Sequence, residues 1–434
     1  MRALVIFAVV VITLVAVFRF QDPPSPGQEA IPMIATAEAR FLTRSSSEAS
    51  ANPVPSGAAT AETESAVRPF DAAPAWVGPS LQHSGADAAE VAIAAVVAHG
   101  SAEEVESALA LHPDFPATRG KLALAFSWAL SGDPQRGMSF VAGIPDSTID
   151  SREKVLLRAA LGGGFQAVRP RNAAAIGAPL ALAMELALTV NEGKKLLETG
   201  KHAEAARAFS DVLLEEISAP WGADPQALGR WSRFLDAVQA HHRWSASGDW
   251  PGEEIEVKSG DSAIAIRKRY LARRPGRIMC AGLILRANGV TGYLQPGQKL
   301  RVPTDDVSVL VDLSASWAFF MMGDEVAGSW PVGIGRPGEE TPIGMFVARE
   351  KTENPPWMKI GQEPIPFGDP RNPLGSRWIA WWKDGVKTSY GFHGTREPES
   401  IGRPASDGCV RFRNEDVEVL FDILPEGAPI RVQS

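Results

Sequence analysis

Cysteine is nearly absent. The 434 residues include two, Cys280 and Cys409, which excludes a disulfide-stapled scaffold and leaves either one bridge or two free thiols. Histidine is scarce as well: after His242 there is only His393, and after Cys280 only Cys409. A zinc site built from Cys and His ligands is therefore excluded within the C-terminal part, and neither metal nor cofactor is expected. Positive charge is also in deficit. Lys and Arg number 43 against 51 Asp and Glu, a net charge of -8, which argues against nucleic acid as the main partner because phosphate binding needs a basic face. The local run Arg267-Lys268-Arg269 with Arg273 and Arg274 reads as a solvated helix face.

What is present divides the chain into five segments. An uncharged apolar run from Ala3 to Phe18 follows Arg2. It is short for a spanning helix, which needs ~17–25 residues, but Phe20 extends it if Arg19 snorkels. No small-x-small cleavage site follows closely. Residues 1–20 therefore read as an uncleaved signal anchor, with a cleaved signal peptide as the alternative; either way the remainder is exported. Residues 21–85, rich in Ala, Pro, Ser and Glu, read as a disordered tether.

Residues 86–246 carry helical signals. Ser101 with Glu104 forms a capping box, and Asp133-Pro134 and Asp224-Pro225 form N-cap and first-turn pairs. The stretch GKKLLETGKHAEAARAFSDVLL has the small and large residues of a tetratricopeptide-type hairpin (Gly193, Gly200, Ala205, Phe209). The SGDPQRG turn at Gly132 lies two periods of ~34 residues before Gly200. An all-α, TPR-like region is expected, with room for a protein partner. The pair His241-His242 falls at a helix end, where it suits the dipole.

Residues 252–304 alternate at Ile255 and Val257, turn at Gly260-Asp261, and then give two short helices and a strand entered through Pro296-Gly297. Cys280 reads as a small buried hydrophobe in the second helix. The matching stretches are Ser259-Gly260-Asp261-Ser262, Arg286-Ala287-Asn288-Gly289 and Gln295 to Leu300. On them the segment resembles the LysM module, a βααβ fold, and the resemblance implies binding to N-acetylglucosamine-containing glycan.

Residues 307–434 read as a β-rich domain. An antiparallel hairpin around Gly323-Asp324-Glu325 comes first. A short helix from Glu415 to Leu424, capped by Asn414, comes late, and Pro429 to Ser434 close the chain as an edge strand. Within FHGTREPESIGRPASDGCVRF, His393 and Cys409 are the one histidine and the one cysteine of this part; they allow a Cys–His nucleophilic pair, with two unrelated loop residues as the alternative. Gly408 permits a tight turn that would aim the Gly408 and Cys409 amides at an oxyanion. Gly394 permits a close approach beside the base.

With GRPGEETPIGMF, the ENPPW loop, DPRNPLGSRW, FHGT and SDGCVRF in that order, this segment resembles the L,D-transpeptidase family with its YkuD-type catalytic domain. The resemblance implies a cysteine-dependent acyltransferase that attacks tetrapeptide stems of peptidoglycan. Cys409 would be the nucleophile and His393 the base. Gly408, Gly394 and Ser406 would shape the loop and oxyanion site, and Arg411 and Thr395 would contact substrate. Trp357, Trp378, Trp381 and Trp382 are candidates for the groove. The family's second histidine, two residues before the cysteine, is Asp407 here, a negative charge expected to raise the thiol's pKa, with Arg411 or Arg403 to offset it. A 3→3 crosslinking enzyme, a hydrolase or carboxypeptidase, and a degenerate glycan-binding scaffold stay open at this point. The expected partners are peptidoglycan and a membrane, the latter through the N-terminal segment. The expected location is the inner membrane, facing the periplasm or cell wall.

Overall fold

The computed structural model of the chain describes residues 88–162, 179–358 and 363–434. The anchor and tether expected over 1–20 and 21–85 lie outside the described residues. Among the described residues no helix is long and apolar enough to cross a membrane.

The helical region opens with α1 (Ala88–His99), α2 (Ala102–Leu111), α3 (Ala117–Leu130), α4 (Pro134–Val141) and α5 (Ser151–Ala160), and continues with α6 (Pro179–Glu198), α7 (His202–Glu216) and α8 (Pro225–His242). The expected caps form. Ser101 and Glu104 exchange both bonds of the capping box, Asp133 accepts from the Arg136 amide, and Asp224 accepts from the Gln226 amide. In α6 every residue from Pro179 to Val190 is buried. A helix buried on all sides belongs at the centre of a bundle, and α1, α3, α5 and α7 pack around it. The hairpin of α6 and α7 closes where Gly193 meets Phe209; a Cβ there would lie 3.0 Å from the ring.

Next comes a βααβ unit: β1 (Gly252–Glu256), α9 (Ala263–Ala272), α10 (Ala281–Ala287) and β2 (Lys299–Pro303). The strands pair antiparallel, Ile255 opposite Leu300. Buried Asn288 ends α10 and ties it to β2, donating to the Arg301 carbonyl and accepting from the Arg301 amide at 2.7 Å each. The basic run is internally paired: Arg269 holds Asp261 and Arg274 holds Glu253. Cys280 precedes α10 rather than lying within it, and its thiol donates to the Asp422 carbonyl at 3.1 Å.

The C-terminal part forms β3 (Val307–Asp312), β4 (Trp317–Met322), β5 (Glu325–Pro331), β6 (Ile334–Gly335), β7 (Gly344–Glu353), β8 (Arg377–Lys383), β9 (Val386–His393), β10 (Pro404–Ser406), β11 (Val410–Arg411), α11 (Asn414–Ile423) and β12 (Pro429–Gln433). Eight of these strands make one sheet in the order β11-β9-β8-β7-β12-β3-β4-β5, and β6 pairs with β10 beside it. The last strand is central, not at an edge: β12 runs parallel to β3 and antiparallel to β7. Burial explains this, since Ile430 and Val432 are nearly inaccessible and their strand needs neighbours on both sides to satisfy its backbone.

The three folded segments share cores instead of hanging as beads. Trp317, Phe319 and Val326 of the sheet belong to the apolar cluster of the helical region. Leu283 and Ile284 of the βααβ unit share a second cluster with Phe320, Trp381, Phe392 and Leu420. At the sheet's β5 edge, Ser210 of α7 accepts from the Val326 amide at 2.8 Å, and Gln239 of α8 and Arg243, which follows it, bind Glu325. The helical region thus covers an edge that would otherwise expose unpaired backbone. The βααβ unit docks on α11 where Gly282 meets the Asp422 carbonyl; a Cβ at Gly282 would come within 2.2 Å of it.

Candidate active site

The site lies at the other end of the sheet. Strand β9 carries His393 and ends there because the following Gly394-Thr395 segment turns away. Strand β11 begins one residue after Cys409 and runs parallel to β9, with Val410 opposite Phe392 and Arg411 opposite His393. Side chains alternate along a strand. Phe392 and Val410 enter the core, so His393, Arg411 and, by the same alternation, Cys409 take the opposite face. A row of directly opposed residues crosses four strands there: Thr352, Trp378, His393 and Arg411. The Trp378 and His393 rings stack with centroids 6.0 Å apart.

The tautomer of His393 follows from one contact. Its Nδ1 lies 2.6 Å from the Gly394 carbonyl oxygen, which can only accept. In the neutral ring Nδ1 therefore carries the proton, and Nε2 is the lone pair available to a base. Burial pushes the imidazole down to about 4. The Gly394 and Leu374 carbonyls oppose this shift and the Arg411 charge adds to it. The Cys409 thiol is partly open but hemmed in by protein, and desolvation pushes it up to about 11. The Gly391 amide and Arg411 pull it down, and Asp407 pushes it further up. The resting pair is a neutral thiol and a neutral imidazole, not an ion pair. Asp407 acts in the direction its charge requires, but it is the smallest of these causes.

The loop before the cysteine is braced locally. Buried Ser406 donates to the Cys409 carbonyl at 2.5 Å and accepts from the Gly408 amide at 3.2 Å. The Gly408 N–H, expected to face an oxyanion, is therefore engaged within the loop. Gly408 has φ +95°, and a Cβ there would lie 2.7 Å from the Tyr390 ring. Both facts demand glycine.

Asn414 was expected to cap the last helix, but the N-cap position belongs to Arg413, which makes no side-chain cap. The Asn414 amide reaches back instead. It accepts from the Ser376 and Thr395 amides at 3.1 and 3.2 Å and donates to the Thr395 carbonyl at 2.9 Å. Gly394 makes room for it, since a Cβ there would meet Asn414 Oδ1 at 2.1 Å. Thr395 is buried, and its hydroxyl accepts from the Glu397 amide. Sequence reasoning missed this clamp because an Asn before an acidic first turn gives the ordinary capping signal.

The tryptophans separate. Trp378 sits beside His393. Trp382 is half-buried on the open face, opposite Val347 and Lys387, with the Arg349 guanidinium 5.6 Å from its ring centroid. Trp381 is wholly buried between Phe346 and Phe392, so it belongs to the core. Trp357 pairs with Ile365 in an isolated bridge. The two cysteines are free thiols. Cys280 is engaged with Asp422, and the alternative of a Cys280–Cys409 bridge does not form.

A cysteine and a histidine on one face of a β-sheet, beside a braced glycine loop, are the groups that a cysteine-dependent acyltransferase uses. The family model for the L,D-transpeptidase catalytic domain, YkuD, matches residues 306–432. The Bacillus subtilis (strain 168) protein YqjB, named as an L,D-transpeptidase, is 35% identical over 128 residues, which cover 29% of this chain and 71% of that protein. YkuD of the same organism, named likewise, is 28% identical over 183 residues, 41% of this chain and 96% of its own length. Among solved structures, the catalytic domain of the E. faecium L,D-transpeptidase aligns at 23% identity over 30% of this chain and 98% of that one, with a TM-score of 0.25. The chain belongs to the L,D-transpeptidase family.

Proposed function

We propose that this protein forms 3→3 crosslinks between peptidoglycan stem peptides through a thioester on Cys409. The observation that carries the reading is the parallel register of β9 and β11, which puts Arg411 opposite His393 and so brings Cys409, two residues before Arg411, to the same face of the sheet. The donor is a tetrapeptide stem, attacked at the carbonyl of its third residue. As Sγ attacks, His393 Nε2 takes the thiol proton; the high thiol pKa and low imidazole pKa keep the charge separation confined to this step. The tetrahedral oxyanion forms against the Cys409 amide, in a loop fixed by Ser406. Donors of this kind are typically worth ~10²–10³ in rate. The imidazolium then returns its proton to the departing D-Ala amine. In the second half an amine from a neighbouring stem loses a proton to His393 and attacks the thioester, which frees Cys409. Arg411, on the same face, supplies the charge for the donor's terminal carboxylate.

The βααβ unit, with its Asn288-Gly289 stop and Pro296-Gly297 turn, supports the reading of a LysM module that holds glycan. The N-terminal segment anchors the enzyme at the inner membrane, facing the periplasm or cell wall. Weak glycan binding joined to the catalytic site raises the effective concentration of stems. Part of the helical region is already taken up by the sheet, so a protein partner would use its remaining surface.

The test is mass spectrometry of the full-length protein incubated with disaccharide-tetrapeptide, with Cys409→Ala as control. An acyl adduct on Cys409, released D-Ala and a crosslinked dimer are expected. An adduct that yields only tripeptide would replace transfer with hydrolysis. No adduct would overturn the enzymatic reading.

A further inference from the structure

The Arg411 guanidinium is built in but not used up. Its backbone is locked by a two-way exchange with Gly333, 2.8 Å in each direction. Its side chain is only 13% exposed and makes one ion pair, from Nη1 to Glu397 Oε2 at 3.1 Å. Its Nε–H is buried with no partner among the described residues, although an arginine fork is suited to grip a carboxylate with two parallel bonds. A buried donor left unpaired is uncommon and calls for an explanation.

The partner is built differently. The Glu397 backbone is pinned: its amide donates to Thr395 Oγ1 at 3.0 Å, and its carbonyl accepts from the Ser400 amide at 2.9 Å and from the Ser400 hydroxyl. Its carboxylate, however, is 65% exposed. Rotation of the side chain alone frees Arg411 without moving the loop. Arg411 lies two strand positions beyond Cys409, ~6.6 Å along the chain. The donor's terminal carboxylate lies one residue beyond the scissile carbonyl, ~3.8 Å between Cα atoms. A long side chain folding back spans the difference.

We propose that Glu397 is an internal competitor: in the resting enzyme its carboxylate occupies the anion subsite of Arg411, and the C-terminal carboxylate of a donor peptide displaces it. This rests on the acyl-transfer reading above. Glu397 is then a positioning residue that sets donor affinity. It holds the guanidinium in the site while no substrate is bound, and it yields to a carboxylate that can use both Nε and Nη.

Two measurements on the full-length protein test this with Glu397→Gln, Arg411→Gln and the double variant. The first needs no turnover: N-acetyl-D-alanine is added as a probe while iodoacetamide alkylates Cys409, and the modified peptide is quantified separately from that of Cys280. Glu397→Gln should strengthen protection about twofold to fivefold, the factor that an exposed ion pair is worth. Arg411→Gln should abolish protection with or without the second change. The second measurement is the tetrapeptide donor's KM, which should fall by a similar factor in Glu397→Gln with kcat unchanged; a donor amidated at its C-terminus should show no such fall. Equal protection in wild type and Glu397→Gln, or an unchanged or raised KM, would overturn the proposal. If wild type fails to turn over donor while protection still responds to Glu397, the acyl-transfer reading fails and the competitor stands.

Discussion

Arg336 Nη1 lies 2.6 Å from Asp407 Oδ1, so the one position where the loop departs from the family motif carries a charge with its own counter-ion. The Arg336 amide also donates to the Ser406 carbonyl at 2.9 Å, which ties the same residue to the loop twice. Sequence reasoning looked for the offsetting cation at Arg411 or Arg403. Arg411 does lower the thiol's pKa, but the direct partner is Arg336, some seventy positions upstream. Arg336→Gln should raise the pH midpoint for alkylation of Cys409, and Asp407→Asn should lower it. Both members are more than half exposed, so both shifts should be small and should shrink in high salt. Opposite directions, or shifts that ignore salt, would show that Asp407 acts through loop geometry instead.

His393 predicts a pH-dependent stability. Its imidazole is held down to about 4 from 6.5, so below pH 6.5 the unfolded chain binds a proton that the folded one refuses. The native state should lose stability as pH falls from about 6.5 to 4, by about 3 kcal/mol at the lower end. His393→Gln should remove that share of the slope in denaturant titrations across the window. It should also cut the acylation rate ~10²–10⁴-fold.

Asn414→Ala should destabilise by at least about 2 kcal/mol, because the Ser376 and Thr395 amides and the Thr395 carbonyl lose their partner together. Acylation should slow as well, since the segment that follows His393 is released. A chemical denaturation midpoint and a single-turnover rate measured on one sample would check both.

Gly408→Ala combines two costs that can be separated. Positive φ costs an L-residue roughly 1–2 kcal/mol, and the added methyl meets the Tyr390 ring. Adding Tyr390→Ala should recover the second cost and not the first. Full recovery of stability in the double variant would mean that the backbone conformation is not strained.

Glu325 tests the joint between the helical region and the sheet. Burial alone would raise its pKa, but the hydrogen bond from His242, the charge and hydrogen bond of Arg243 and the hydrogen bond from Gln239 outweigh this and hold it at about 2. Glu325→Ala should cost ~3–5 kcal/mol, as expected when one member of a buried ion pair is removed. In calorimetry the wild-type helical and β-rich parts should unfold in one transition, and the variant should separate them.

The candidate nucleophile and base were legible because the C-terminal part holds one cysteine and one histidine, each next to a glycine. The local caps at Ser101, Asp133 and Asp224 were legible because capping is a short-range bargain between a side chain and amides two or three residues on. The βααβ order was legible from turns and periodicity for the same reason. The central placement of β12 was not, since its β3 partners lie more than a hundred residues away and the strand's own pattern suits an edge or a centre. Asn414 reads as a cap by every local rule; only the return of residues 375–376 and 394–395 to its side chain gives it a different task. The pairs Arg336–Asp407, Arg411–Glu397 and Arg243–Glu325 were equally silent, because charge on a residue type says nothing about which distant charge it will meet. The sequence by itself determined the chemistry available and the local elements that carry it. Tertiary structure decided which charges tune that chemistry and which surfaces are already occupied, because both depend on contacts between segments far apart along the chain.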